Sequence, residues 1–131
     1  MMGLKRQLAA GELTFSKSVS ISGLGTCVQL SGQVGQGADG VVVSGGLEAE
    51  SMTTFARLFD AAAEVGGKPE DFVRITAYLT SLDNYADYNV ARKLAFGETL
   101  PASTAVQVAG PLLGAQIEID ALVFIADDRT K

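Results

Sequence analysis

Two stretches of helical hydrophobic spacing, each set between strand-like stretches, constrain the fold of this chain more than any other feature. Residues 47–65 place apolar side chains three or four positions apart and end at a pair of glycines, which is typical of a helix and its C-terminal stop. A second helix is predicted to begin at a cap provided by Ser81 or Asp83 and to run to about Phe96. Between the two helices, residues 72–79 alternate apolar and polar side chains, as a half-buried strand does.

Four further strands are predicted around these helices, at about residues 13–21, from residue 28, at 104–108 and at 115–125. The turn chemistry at residues 22–25 suggests that the first two form a hairpin. Each strand-helix-strand unit should join parallel strands by a crossover connection. The order of elements therefore predicts an α+β domain, in which a mixed sheet carries two helices on one face.

The last predicted strand carries Val123, Phe124 and Ile125 in succession, so apolar side chains project from both of its faces. Two helices on one face of the sheet leave the other face uncovered, and a large apolar sheet face is unstable in water. The pattern predicts an oligomer whose subunits pack their sheet faces together.

The 131 residues match the size of one domain, and residues 1–131 are predicted to form a single domain with peripheral segments at 1–12 and 127–131. No apolar stretch is long enough for the core of a signal sequence or for a membrane span. Cys27 is the only cysteine, so it has no partner for an intramolecular disulfide, and it is interpreted as a buried strand residue. We expect a cytoplasmic protein that does not bind a membrane.

The sequence contains no histidine, which excludes Ser-His-Asp and Cys-His nucleophilic devices and the common zinc sites. Its formal charge is −5 and its lysines and arginines are scattered, whereas nucleic-acid binding depends on clustered cations. Residues Gly35 to Gly40 match the dinucleotide pattern GxGxxG, but no helix starts directly after them, so they are interpreted as a loop or hairpin. We therefore expect no cofactor, no metal and no nucleic-acid partner.

Glu118 and Asp120 lie two positions apart, which places both carboxylates on one face of a strand. A partly buried carboxylate beside a second one can serve proton transfer. The alternative is a solvated strand face, and the spacing alone favours that alternative. Tyr78, Tyr85 and Tyr88 are interpreted as packing residues rather than catalytic phenols.

Several motifs, in order along residues 13–126, resemble the Rid (YjgF/YER057c/UK114) family. They are Leu30-Ser31-Gly32-Gln33-Val34, Val73-Arg74-Ile75-Thr76-Ala77-Tyr78-Leu79, Leu82-Asp83-Asn84-Tyr85, Asn89, Pro101-Ala102-Ser103-Thr104-Ala105-Val106-Gln107-Val108 and Ile117-Glu118-Ile119-Asp120-Ala121. The resemblance implies a chorismate-mutase-like fold, a homotrimer whose sheets form a central barrel, and ligand pockets between neighbouring subunits.

The archetypal members of this family hydrolyse reactive enamines and imines, such as 2-aminoacrylate, to a keto acid and ammonia. They hold the substrate carboxylate with an arginine, whose planar fork suits a bidentate contact. In this chain Ser103 stands at the position of that arginine, Ala105 at that of a cysteine and Phe15 at that of a tyrosine. The family's glutamate falls on Asp120, which the resemblance makes the catalytic residue.

Ser31 and Gly32 keep the backbone-rich wall of the family's pocket, so the resemblance implies that both bind the substrate. Arg92 lies on the second helix, where many relatives carry an aromatic residue, and it is a candidate for a relocated cation. With Phe15, Ser103 and Ala105, these three residues are the expected substrate-binding residues.

Two functions are compatible with these residues. The first is a Rid-like hydrolase or deaminase, in which Asp120 orients water toward a reactive enamine, imine or related small metabolite. The second is a non-catalytic small-molecule-binding or chaperone-like trimer, which the changes at Phe15, Ser103 and Ala105 favour. Ribonuclease activity, attributed to some relatives, has little support from an acidic chain without histidine.

Overall fold

In the computed structural model, residues 3–11 and 13–130 are described, and they form six strands and two α-helices. In chain order these are β1 (Gly3–Leu8), β2 (Ser16–Ser22), β3 (Gly25–Val34), α1 (Gly46–Ala63), β4 (Phe72–Leu79), α2 (Tyr85–Phe96), β5 (Ala102–Gln107) and β6 (Ile117–Ala126). The strands form one sheet in the order β1-β2-β5-β4-β6-β3.

The sheet is mixed. β4 and β5 pair in parallel, whereas β6 runs antiparallel to both of its neighbours, β4 and β3. β3, β4 and β5 therefore run in the same direction, so both strand-helix-strand units join parallel strands as predicted. Both helices pack on one face of this sheet, which confirms the predicted α+β arrangement.

The core lies between that face and the helices. Alternate residues of β4 and β6 point into it and meet Phe55 and Leu58 of α1. Phe59 makes edge-to-face contacts with Phe72 and Phe96, which joins α1 to the start of β4 and the end of α2. The helical spacing of α1 thus reflects one apolar stripe buried against the sheet. Within the described residues, neither helix has the length and apolar character that a membrane crossing requires.

The prediction of a hairpin between the first two predicted strands is wrong. β2 pairs with β1 and β5, whereas β3 pairs with β6 at the opposite edge of the sheet. A short turn connects β2 to β3. The long pairing of β3 with the apolar strand β6, and not this turn, sets the place of β3 in the sheet. The partner of β2 is β1, an edge strand formed by the segment that the sequence places at the periphery.

The sheet face opposite the helices is called here the outward face, and at the end of β6 it is apolar. Phe124 is 5% exposed and packs with Val73 against Leu4 of β1 and Val19 of β2. The chain therefore covers the apolar side of the run 123–125 with its own β1–β2 hairpin. The run is buried on both faces, as predicted, and the packing of sheet faces between subunits stays a prediction.

Cys27 is exposed, so its interpretation as a buried residue is wrong. It lies on the edge strand β3 and pairs with Phe124 in register, which places it on the outward face. The pleat of β3 turns Val28 and Leu30 toward the helices and Cys27 away from them.

The glycine-rich segment Gly35–Gly40 forms a tight turn, as predicted, and does not start a helix. Gln36 forms an isolated bridge with Val42, and the Gly37 N–H donates to the Val41 carbonyl at 2.9 Å. The helix α1 begins only after this turn, at Gly46.

Candidate functional site

A buried arginine forms the centre of a polar cluster between α2 and β5. Arg92 is 1% exposed, and its guanidinium donates hydrogen bonds to the side chains of Thr14, Asn89 and Ser103. Nη1 lies 2.7 Å from Ser103 Oγ, and Nη2 lies 2.7 Å from Thr14 Oγ1. All three acceptors are neutral, and no carboxylate of residues 3–11 or 13–130 lies within ion-pair distance of Arg92. This part of the chain therefore buries a positive charge without an anionic partner.

Three aromatic rings surround the same guanidinium. Its carbon Cζ lies 4.9 Å from the ring centre of Tyr88, 5.5 Å from that of Phe15 and 6.0 Å from that of Tyr85. Cation–π contacts of this kind stabilise a desolvated arginine. Burial raises the pKa of Tyr88, and the charge of Arg92 acts against that rise. The rings help the chain to tolerate the buried charge, but they do not neutralise it.

A cavity of about 350 Å³ opens beside this cluster and is lined by Leu82, Tyr85 and Ala105. Ser103 and Ala105 lie two residues apart on β5 and therefore project from the same side of the strand. The lining is mainly apolar, and the volume lies at the lower end of the range for small-molecule sites. Tyr85 belongs both to this lining and to the aromatic rings around Arg92, so the cavity lies next to the buried charge.

A second cleft, of about 320 Å³, lies on the outward face and contains the predicted catalytic carboxylate. It is lined by Gly32, Tyr78, Val108, Gly110, Pro111, Glu118 and Asp120. Asp120 Oδ2 accepts a hydrogen bond from the Tyr78 hydroxyl at 3.0 Å, and its Oδ1 lies 3.6 Å from Arg74 Nη1. The hydrogen bond to Asp120 raises the pKa of Tyr78. The alternative of a freely solvated strand face therefore does not describe Asp120, whose side chain is anchored and 25% exposed.

Ser31 and Gly32 form a bulge in β3 opposite Asp120. The register between β3 and β6 shifts after Leu30, so that two residues of β3 face the single residue Asp120. A Cβ atom on Gly32 would lie 2.3 Å from Glu118 Oε2, so glycine leaves room for that carboxylate against the bulge. The bulge brings both predicted wall residues beside the predicted catalytic carboxylate.

The predicted site residues fall into two groups on opposite faces of the sheet. Ser103 pairs with Ile75, which points to the helices, whereas Asp120 pairs with Thr76 on the outward face. Paired residues of neighbouring strands share a face, and consecutive residues of one strand point to opposite faces. The Arg92 group consists of Phe15, Arg92, Ser103 and Ala105, and the Asp120 group consists of Ser31, Gly32 and Asp120. A single chain does not bring the two groups together.

Four residues whose side chains contact Arg92 or Asp120 are not among the site residues predicted from the sequence. Asn89 lies three positions before Arg92, a helical spacing that could have indicated their contact. Thr14 binds Arg92 across 78 positions of the chain, which no local pattern reveals. Tyr78 and Arg74 reach Asp120 through the pairing of β4 with β6, so Tyr78 makes a polar contact in addition to the packing role expected from the sequence.

The chemistry open to the two groups is limited to charge, hydrogen bonding and proton transfer. Within residues 3–11 and 13–130, no three His, Cys, Asp or Glu side chains lie together in a way that could hold a metal ion. The Arg92 group presents a guanidinium that suits an anion, and the Asp120 group presents a carboxylate that suits a water molecule or a protonated nitrogen.

Comparison with known proteins agrees with this architecture. A family model described as endoribonuclease L-PSP matches residues 7–125. The 2-iminobutanoate/2-iminopropanoate deaminase of Mus musculus is 30% identical over 96 residues, which cover 72% of this chain and 71% of the deaminase.

Solved structures show the same fold. A crystal structure of a conserved Rid family protein from Yersinia pestis matches with a TM-score of 0.76 at 27% identity, over 86% of this chain and 87% of that one. RidA from the Antarctic bacterium Psychrobacter matches with a TM-score of 0.72 at 28% identity, over 92% of this chain and 94% of that one. The similarity thus extends over nearly the whole described chain.

Proposed function

The chain belongs to the Rid (YjgF/YER057c/UK114) family, and from this premise we propose that it is a hydrolase that deaminates a reactive enamine or imine. The mouse relative named as a 2-iminobutanoate/2-iminopropanoate deaminase, 30% identical to this chain, supports a reaction of this class. The proposed setting is the cytoplasm, and the proposed active form is a homotrimer with its substrate pockets between subunits.

The separation of the two residue groups supports a pocket between subunits. Arg92 and Asp120 belong to opposite faces of one sheet, so a small substrate cannot contact both within one chain. A heterologous interface in a ring of three copies can bring the outward face of one subunit against the helix side of the next. In the proposed pocket, one subunit supplies the Arg92 group and its neighbour supplies the Asp120 group.

The hydrogen bond from Arg92 to Ser103 is the single observation on which the proposal depends most. The Rid resemblance places a carboxylate-binding arginine at position 103, and this chain brings a guanidinium to the hydroxyl of Ser103 from α2 instead. A buried charge is costly unless it is paired, and the acceptors around Arg92 are neutral. We assign the missing counter-ion to the carboxylate of the substrate.

The reaction then needs only a positioned carboxylate and water. Asp120 accepts a proton as the water oxygen bonds to the imine carbon, while the π electrons of the C=N bond move to the nitrogen, which takes up a proton. Asp120 then gives its proton to the amino nitrogen of the resulting carbinolamine. The C–N bond breaks, ammonia leaves with the electron pair of that bond, and the hydroxyl releases its proton to water as the C=O bond forms, which returns the proton that the nitrogen took up. The anionic end of the substrate meanwhile stays on Arg92, which is consistent with a site that holds no histidine.

Ammonia release tests this proposal. The substrates are 2-aminoacrylate and 2-iminobutanoate, generated enzymatically in the assay, and a neutral imine without a carboxylate. We expect Asp120→Asn to lower kcat by about a hundredfold or more on all of them. Arg92→Met should raise KM for the two carboxylate-bearing substrates by at least about tenfold and leave the neutral imine unaffected.

Lys93→Met is the matched control, because Lys93 is an exposed cation next to Arg92 on the same helix. Its kinetics should equal those of the unmodified protein, and all variants are compared at equal trimer content. The proposal fails if the assembled protein releases no ammonia from any of the three substrates. The role of Arg92 fails separately if Arg92→Met and Lys93→Met behave alike.

The second candidate is a trimer that binds a small molecule without turning it over. Three changes from the family's pocket favour it, namely Phe15, Ser103 and Ala105, each of which removes a reactive or charged group. The anchored position of Asp120 favours the enzyme instead. Saturable binding of a keto acid with no ammonia release from the corresponding imine would decide for the binding protein.

A ribonuclease is not proposed, although the family model is described as an endoribonuclease. The outward cleft contains two carboxylates, Glu118 and Asp120, and the chain carries a formal charge of −5. These negative charges would repel the phosphodiester backbone of RNA at low ionic strength.

A further inference from the structure

Arg74 and Tyr78 of β4 approach the two carboxylate oxygens of Asp120 from opposite sides. Thr76 is the register partner of Asp120, and Arg74 and Tyr78 lie two positions before and after it on the same face of the strand. The Tyr78 hydroxyl donates a hydrogen bond to Oδ2 at 3.0 Å, and Arg74 Nη1 lies 3.6 Å from Oδ1. Each oxygen of the carboxylate thus has its own neighbour on β4.

The Arg74 side chain is itself held by two strands. Its Nη1 donates to Thr76 Oγ1 at 3.2 Å, and its Nη2 donates to Gln29 Oε1 of β3 at 3.4 Å. Asp120 Oδ1 is buried and accepts no hydrogen bond from residues 3–11 or 13–130, so the charge of Arg74 is its main polar contact there. Residues of three adjacent strands, β3, β6 and β4, therefore hold the carboxylate of Asp120 in place.

From these contacts we infer that Arg74 and Tyr78 are positioning residues, which hold the carboxylate of Asp120 in one orientation toward the outward cleft. The inference rests on the proposed function for the reaction that Asp120 serves. Orientation matters because a general base acts only within hydrogen-bond reach of the proton that it takes, and a small misplacement lowers the rate strongly. Aspartate has only two side-chain torsions, so contacts to both oxygens leave its carboxylate little freedom.

Tyr78 is suited to this role near neutral pH. Its hydrogen bond to Asp120 raises the pKa of Tyr78, Glu118 opposite it on β6 adds to that rise, and Arg74 acts against it. A phenol whose pKa is raised keeps its proton and continues to donate the hydrogen bond.

The contact is tested without any substrate, by following the ring-carbon NMR signals of labelled tyrosines in the intact protein as the pH rises. The Tyr78 signal is identified by its absence from the Tyr78→Phe spectrum. We expect Asp120→Asn to lower the pKa of Tyr78 toward about 10, because the acceptor carboxylate is removed. Glu118→Gln keeps the hydrogen bond and should lower that pKa by less. An unchanged titration of Tyr78 in Asp120→Asn overturns the inference.

Kinetics test the positioning role. Tyr78→Phe and Arg74→Gln should each lower kcat by about tenfold and change KM by less than about twofold, because neither residue contacts the Arg92 group. Thr104→Val, at an exposed position on the same sheet face, is the control and should keep the full kcat. Full kcat in both Tyr78→Phe and Arg74→Gln also overturns the inference. If the unmodified protein releases no ammonia, the proposed function fails and the tyrosine titration alone decides the inference.

Discussion

Arg92 Nη1 lies 2.7 Å from Ser103 Oγ, and this hydrogen bond joins α2 to β5 across 11 positions of the chain. Ser103 stands where the Rid resemblance expects an arginine, yet the structure brings a guanidinium to that point from another element. A serine hydroxyl offers one neutral hydrogen bond, whereas a guanidinium can hold a carboxylate with two charged ones. On the proposed function, α2 supplies the positive charge that the resemblance expects from position 103.

If Arg92 occupies the place of the family's arginine, a second arginine at position 103 cannot be accommodated beside it. We expect Ser103→Arg to lower the free energy of unfolding by about 2–4 kcal/mol, because two guanidinium groups would share one buried site without an anion. Chemical unfolding in urea measures the change.

The double variant Arg92→Tyr with Ser103→Arg removes that repulsion and should recover most of the lost stability. The coupling between the two sites in a double-mutant cycle should then exceed about 1 kcal/mol and have the sign of a rescue. Additive effects of the two substitutions would contradict the relocation of the charge.

Tyr88 makes the stability of the protein depend on pH in the alkaline range. Burial raises the pKa of Tyr88 above its ordinary value of 10.0, and Arg92 opposes the rise only in part. Above about pH 10 the unfolded chain has lost a proton that the folded chain still holds, so stability decreases by up to about 1.4 kcal/mol per pH unit.

We expect Tyr88→Phe to make this decrease shallower, because the substitution removes the titrating group and keeps the ring. Urea unfolding at about pH 8 and about pH 11 gives the two slopes to compare. Equal slopes for the two proteins would show that Tyr88 does not hold its proton more tightly in the folded state.

The elements that the sequence predicts well are those with one buried side. Residues 72–79 alternate, and β4 spans Phe72–Leu79; the spacing at 47–65 predicts a helix, and α1 spans Gly46–Ala63. In both cases the spacing of the apolar residues follows from which side chains face the core. The type of element can therefore be predicted without knowing which element it packs against.

The partners of the strands could not be predicted in the same way. Alternation tells which residues of β3 share a face, but it does not distinguish β2 from β6 as the neighbour, and the pairing with β6 leaves Cys27 exposed. The candidate site depends on such pairings as well. Tyr78 meets Asp120 across 42 positions and Thr14 meets Arg92 across 78, and neither contact leaves a local pattern in the sequence.

A close approach between the glycine-rich turn and α1 gives a further stability prediction. A Cβ atom on Gly35 would lie 2.6 Å from the backbone carbonyl oxygen of Glu50, which cannot move aside as a flexible side chain can. We expect Gly35→Ala to lower the free energy of unfolding by about 2–3 kcal/mol, as overpacking does in a tight core.

Gly110→Ala is the control for this substitution, because a Cβ atom there meets nothing within 4 Å in the described chain. Its stability should stay within about 0.5 kcal/mol of that of the unmodified protein. Similar urea midpoints for the two alanine variants would show that the turn can move away from α1.

Mixed trimers test whether Arg92 and Asp120 act from different subunits. At 2-aminoacrylate concentrations well below KM, Asp120→Asn is expected to be nearly inactive and Arg92→Met to keep about a tenth of the rate or less, because every pocket of either trimer lacks one of the two groups. In trimers assembled from an equal mixture, a pocket is intact when Arg92 comes from an Asp120→Asn chain and Asp120 from an Arg92→Met neighbour. Random assembly makes about one pocket in four intact, so about a quarter of the ammonia release of the unmodified protein should return. If native mass spectrometry finds the mixed trimers and their activity does not exceed that of the separate variants, the two residues do not share a pocket across the interface.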